Sequence, residues 1–140
     1  MSQQPLDPRI PVRRYFEEVA DGRRLELADE LFAPDFGSPG PVVGPGAARA
    51  ALRSMWAAFP DLTFSIDDLL AEGDRVVVKV TCAGTHRGPF LGVAPTGRPV
   101  RFAGVELAVV RDGLIAARAW HVVDHHDILS HLVGEPGGAR

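Results

Sequence analysis

The sequence predicts an α+β fold: a cone-shaped α+β barrel with N-terminal helices packed on a curved, mainly antiparallel sheet around an internal pocket. Two observations carry this expectation. Apolar residues recur at helical spacing before Pro60 and alternate as in strands after it, so helices come first and strands follow. The later segments are joined by turns rich in Gly and Asp, such as Asp112-Gly113, which suit antiparallel neighbours. A curved sheet covered by helices on one face leaves an open end, and hollows of this kind are the usual sites for apolar small molecules.

The elements follow in order. Val12, Tyr15, Phe16 and Val19 fall at i, i+3, i+4 and i+7, one helical face, with Arg13, Arg14, Glu17 and Glu18 opposite. Gly22 is the expected stop. A shorter helix carries Leu27, Ala28, Leu31 and Phe32 on one side and ends before Pro34. Residues 37–46, rich in Gly, Ser and Pro, form a loop. The third helix bears Ala48, Leu52, Met55, Trp56 and Phe59 on one stripe and closes at Pro60, because the residue before proline disfavours the helical region.

Strands are expected over 62–71, 75–85, 100–110 and 114–123. Glu72-Gly73-Asp74 turns between the first two, and Asp112-Gly113 makes a tight hairpin between the last two. A long Gly/Pro loop over 87–97 carries a turn at Pro95-Thr96-Gly97. A terminal helix begins near Asp127 and carries Ile128, Leu129 and Leu132.

The chain has 140 residues, 46% hydrophobic and 24% charged, with a net charge of -3. That length predicts one domain, over residues 10–134, with a disordered N-terminus at 1–9 and a flexible C-terminus at 135–140. The lone Cys82 excludes an internal disulfide framework and any Cys-based zinc site. The negative balance argues against a nucleic-acid partner. No uncharged apolar run reaches the ~18 residues that span a bilayer, so no membrane partner is expected. The first residues lack the basic and apolar regions of a signal peptide, which leads to an expected cytoplasmic location. Lys79 is the only lysine beside many arginines, which reads as codon bias.

No glycine-rich phosphate loop, serine nucleophile elbow or HExxH motif is present. The chemistry must lie in polar residues on strands. Glu106 stands in an otherwise apolar strand, and alternation sets it on one face with Phe102, Gly104 and Ala108. A carboxylate there must reach water, pair with an arginine or lose its charge, and desolvation would raise its pKa toward a range useful for acid/base work. The stretch from Trp120 to Asp127 holds His121, Asp124, His125 and His126. A histidine titrates near neutral pH and moves protons either way. Alternation puts His121 with Ala117 and Ala119 on one face, and Trp120 with Asp124 on the other. Both faces line one cavity only if a bulge intervenes. His125, His126 and Asp127 fall in the exit turn, where adjacent histidines are usually just solvated, so no metal site is expected.

His86 ends the second strand where a loop begins, a common place for site residues. Its other readings are a surface histidine and a loop hydrogen-bond donor. Tyr15, Trp56, Phe59, Phe90 and Trp120 are candidates to line a pocket, against plain core packing.

These residues together resemble the SnoaL-like polyketide or ester cyclases of the nuclear-transport-factor-2-like superfamily. The matching stretches include Val12-Arg13-Arg14-Tyr15-Phe16, Leu31-Phe32-Ala33-Pro34-Asp35-Phe36 and Phe59-Pro60-Asp61-Leu62. They continue with Gly84-Thr85-His86-Arg87-Gly88-Pro89-Phe90-Leu91-Gly92, Pro95-Thr96-Gly97, Arg111-Asp112-Gly113-Leu114-Ile115 and Trp120-His121-Val122-Val123-Asp124. The resemblance implies an apolar pocket and acid/base catalysis with no cofactor. In the family's founding cyclases an aspartate late in the last strand is the acid/base for an aldol closure. Here that position falls near His121 or Trp120, Asp124 matches a second aspartate downstream, and Glu106 replaces a family histidine.

The expected function is therefore a cofactor-independent acid/base cyclase or isomerase acting on a hydrophobic secondary metabolite, by aldol or epoxide-opening ring closure. His121 or Asp124 would take a proton, and Glu106 or His86 would donate one. Two other readings compete: a non-catalytic small-molecule binding protein, and a dimerisation or accessory module. A homodimer is expected in any case, through a sheet face bearing Val77, Lys79, Thr81, Ala83, Val105, Leu107 and Val109.

Overall fold

The structure is a computed structural model that describes residues 6–37 and 39–122, the side chains of His121 and Val122 excepted. Asp124, the stretch 125–127, the expected terminal helix and the C-terminal end lie outside the described residues.

Helix α1, Arg9–Arg14, runs directly into a π-helical stretch, Tyr15–Asp21. The α1 helix already begins inside the segment expected to be disordered, where the Arg9 N–H donates to the Asp7 carboxylate at 3.0 Å. The apolar face is as the spacing predicts: Val12, Tyr15, Phe16 and Val19 are all buried. The widened backbone is not legible in that spacing. It shows in the bond from Gly22 N–H to Glu17 O, 3.0 Å and five residues back. Gly22 stops the helix for a different reason from the one expected. Its own backbone is right-handed, and the left-handed residue is Arg23, at φ 64°. Gly22 is needed because a Cβ there would meet Glu18 O at 2.6 Å. Arg23 is held in place by its guanidinium, which donates to Pro60 O at 2.7 Å and Leu62 O at 3.1 Å.

A single 3₁₀ turn, Leu25–Leu27, leads into the short α2, Ala28–Leu31. Phe32 then forms an isolated parallel bridge to Ile115. Helix α3, Pro45–Ala58, starts with proline at its first position, where the missing N–H costs nothing. It ends one residue before Phe59, as Pro60 requires.

Four strands form an unclosed, curved antiparallel sheet in the order β1-β2-β3-β4: β1 Thr63–Glu72, β2 Arg75–Thr85, β3 Pro99–Arg111 and β4 Leu114–Val122. Asp112 and Gly113 both have positive φ, 54° and 77°, the primed turn that matches the strand twist. Residues in register share a face, so the sheet reads as rows. Leu69, Val78, Glu106 and Trp120 form one row facing the helices, and Ala71, Val76, Ala108 and Arg118 form the next. Leu70, Val77, Leu107 and Ala119 form a row on the outer face. The core lies between the inner rows and the helices, with Phe16, Phe32, Leu62, Val78, Val80 and Ile115 fully enclosed.

One irregularity decides the inner face of β4. Val110 pairs with Ile115, but Val109 pairs with Ala117, so Ala116 is an extra residue in the ladder. From there on the alternation of β4 is out of step with its turn.

Candidate active site

Helix α3, the α1–π segment, β1 and β4 enclose a cavity of about 420 Å³. Its walls are aromatic on three sides: Tyr15 and Phe16 from the α1–π segment, Phe64 from β1, Trp120 from β4, and Phe36 from the loop before α3. The Phe16 ring centroid lies 6.1 Å from Phe64 and 6.2 Å from Trp120. Helix α3 contributes small side chains, Ala47, Ala48, Ala51 and Ser54, beside Leu52 and Met55. The hollow exists because these α3 positions carry little bulk.

One lining residue is charged. Arg118 of β4 reaches the cavity wall with its guanidinium carbon 4.5 Å from the centroid of the Tyr15 ring, a cation–π arrangement. Behind it stands Glu106 of β3, fully buried, with Arg118 Nε in contact with Oε1. The two groups are in ion-pair contact, and Glu106 Oε2 receives no hydrogen bond among the described residues. Glu106 itself is not part of the cavity wall. Burial pushes the Glu106 carboxyl above its ordinary value, and Arg118 offsets only part of that shift. Burial works against the charged form of Arg118 as well, but Glu106 and Tyr15 outweigh it and hold the guanidinium above its usual range. The Tyr15 hydroxyl is pushed up by burial. The site is therefore a cationic guanidinium in a largely apolar wall, backed by a buried carboxyl group whose ionisation that burial opposes.

Residues 10–132 match the sequence profile of the SnoaL-like polyketide cyclases. The chain belongs to the SnoaL-like polyketide cyclase family. Solved structures agree with that membership. A protein from Jannaschia sp. CCS1, provisionally called a SnoaL-like polyketide cyclase, is 27% identical over 97% of this chain and 99% of its own, with a TM-score of 0.77. TsrD from Streptomyces laurentii is 26% identical over 94% of this chain and 100% of its own, with a TM-score of 0.76. IdmH from Streptomyces antibioticus, provisionally called a polyketide cyclase, is 28% identical over 90% of this chain and 98% of its own, with a TM-score of 0.73. No functionally curated protein matches the chain.

The residues singled out from the sequence divide into those this SnoaL-like fold brings together and those it does not. Tyr15 and Trp120 line the cavity, and Glu106 lies behind Arg118. Phe59, Phe90 and Trp56 do not line it. Phe59 is fully buried and stacks against Phe90 at 4.9 Å and Phe102 at 5.9 Å, which is core packing beneath the 86–98 loop. Trp56 lies under the Arg23 guanidinium, 4.4 Å from its centroid. His86 is fully buried but also outside the cavity wall. Its Nδ1 lies 3.0 Å from Thr96 Oγ1 and receives the Thr96 N–H at 3.2 Å, while its backbone bonds Arg98 O and Gly97 N–H. These contacts fasten the loop at both ends, with Nδ1 accepting from the Thr96 N–H rather than donating to it, so His86 is neither a surface histidine nor a donor through that atom. His121 pairs with Val105, one step out of register with the Glu106–Trp120 pair, and its side chain is outside the described residues, as is Asp124.

Sequence reasoning missed Arg118, together with Phe16, Phe36, Phe64 and the small residues of α3. A signal for Arg118 existed: it shares parity with Trp120 and is flanked by Ala117 and Ala119, so any register that turns Trp120 inward brings Arg118 with it. Among the described residues, no helix is long and apolar enough to cross a membrane, and no three His, Cys, Asp or Glu side chains gather as a metal site would require.

Proposed function

We propose that this chain is a cofactor-independent acid/base cyclase or isomerase acting on a hydrophobic, polyketide-type secondary metabolite, by aldol or epoxide-opening ring closure. The observation that carries the reading is a single guanidinium, Arg118, set in a cavity of about 420 Å³ whose other lining residues, among those described, are uncharged and mostly apolar, a size within the roughly 300–1,000 Å³ range of small-molecule sites. A carbonyl or epoxide oxygen placed against Arg118 gains stabilisation as negative charge develops on it, and the low-polarity walls strengthen that effect. The proton next to the carbonyl, or on an attacking hydroxyl, goes to a base for which Asp124 is the candidate the sequence offers; His121 stands in the outer-face register of Val105. Glu106, behind Arg118 and outside the wall, positions the guanidinium, and in its protonated form it leaves the whole Arg118 charge to the ligand oxygen. His86 has no role in this scheme, because it lies outside the cavity wall.

A second reading has an observation of its own. Glu106 locked against Arg118 is also what a non-catalytic binding protein of this fold would show. The test uses 2-tetralone in deuterium oxide. The enzyme reading expects the protein to accelerate deuterium uptake next to the carbonyl, and Arg118→Gln to lower that rate roughly 10²-fold, the loss typical of one oxyanion donor. A hydroxy-epoxide assayed for cyclic ether formation covers the other closure. Saturable binding of both compounds with neither reaction makes the chain a carrier.

A further inference from the structure

We propose that the cavity selects flat, ring-bearing anions whose negative charge is shared by two oxygens, and that Arg118 is the residue that reads them. This rests on the cavity being the ligand site of the proposed function and narrows its ligand from hydrophobic molecules in general to acids.

Three observations lead there. Arg118 meets Glu106 through Nε, the inner nitrogen of the guanidinium. The guanidinium lines the cavity as well, so the N–H donors that Glu106 and the Tyr15 hydroxyl do not take are what it can offer a ligand. A planar fork of N–H donors fits two coplanar oxygens, as in a carboxylate or the enolate of a 1,3-dicarbonyl. Second, among the described residues no carboxylate lines the cavity, and the wall group that engages Arg118 is the neutral Tyr15 hydroxyl. Third, the guanidinium is stacked on Tyr15 with Phe16, Phe64 and Trp120 around it, so a ring joined to the anionic group meets aromatic faces.

Glu106 is the apparent obstacle, since it already balances Arg118. Its position removes the difficulty. It lies behind the fork rather than in the wall, and its burial works against its charged form. An incoming anion takes over as the counter-charge of Arg118, and Glu106 takes up a proton. An uncharged ester or amide offers no such exchange and leaves the remaining donors of Arg118 poorly satisfied.

The test is a binding panel on the intact chain, read by calorimetry at neutral pH: 3-hydroxy-2-naphthoate as the carboxylate, 2-acetyl-1,3-indandione as the enolate, and 3-hydroxy-2-naphthamide as the uncharged control. At least one anion should bind about tenfold or more tighter than the amide. Preference for both supports the shared chemistry; preference for one supports it and names the source. Equal affinity for all three overturns the anion selection while leaving the cavity reading standing. No binding of any compound to folded protein removes the cavity reading itself. Arg118→Gln, checked by its melting transition, should bring anion and amide to equal affinity, and an unchanged preference assigns the recognition to another group. If that variant does not fold, the wild-type panel still decides. Ala51→Trp, which fills the cavity, should block the amide as well as the anions, and undiminished binding would place the ligand elsewhere.

Discussion

Gly104 and Trp120 are interlocked across the β3–β4 ladder: the indole of Trp120 occupies the space where any side chain at position 104 would begin. The sheet leaves out a Cβ on one strand so that an aromatic wall of the cavity can lie flat against it. Gly104→Ala should therefore displace Trp120 rather than merely tighten the core. The expected cost is about 1–3 kcal/mol, as for overpacking elsewhere. In a Trp56→Phe background, the fluorescence of Trp120 should shift with it. An unchanged spectrum and melting temperature would show that the indole does not depend on the glycine.

The Glu106–Arg118 pair offers a second prediction. Removing one partner leaves the other buried without its counter-charge, which typically costs about 3–5 kcal/mol. Arg118→Gln should fall near the lower end of that range, since Glu106 can protonate. Replacing both, Glu106→Gln with Arg118→Gln, should recover most of the loss. Urea denaturation of the two single variants and the double variant measures the coupling. Additive losses would mean that the contact contributes little.

The raised pKa of Glu106 has a definite sign in stability. Between the ordinary carboxyl value and the raised one, the folded chain binds more protons than the unfolded chain, so stability falls as pH rises through that window. The wild type should lose stability there relative to Glu106→Gln. If protonated Glu106 is the acid of the reaction, turnover should fall over the same window in the wild type and become flat in the variant. A turnover limb of opposite slope would make it a base.

Leu70, Val77 and Leu107 stand in one row across three strands on the outer face, and are 61%, 41% and 38% exposed. Such a row fits a sheet-to-sheet homodimer. Light scattering at micromolar concentration should give about twice the 15.0 kDa chain mass, and Val77→Glu with Leu107→Glu should return the monomer mass. A particle of single-chain mass for the wild type contradicts the homodimer.

Much of this architecture is legible in local pattern. The helical stripe of Val12, Tyr15, Phe16 and Val19, the β2 limits Arg75 and Thr85, and the Asp112-Gly113 turn follow from period and turn chemistry, because each depends only on near neighbours in the chain. The placement of Glu106 on the buried face was legible for the same reason. Its partner was not. A regular hairpin through Asp112-Gly113 would continue the Val110–Ile115 pairing and set Glu106 opposite Ala119, in the parity of His121. The extra residue at Ala116 sets it opposite Trp120 instead and brings Arg118 to the cavity. That choice is made by packing. The parallel bridge from Phe32 and the enclosure of Ile115 hold the start of β4 to the helices, while the gap above Gly104 receives the indole further along. One strand can satisfy both only with a residue to spare. The amino-acid order determined which segments are helix or strand and which face of β3 is oily. The fitting of β4 between helix and sheet, a matter of volume over long sequence separations, decided which charged group meets the ligand.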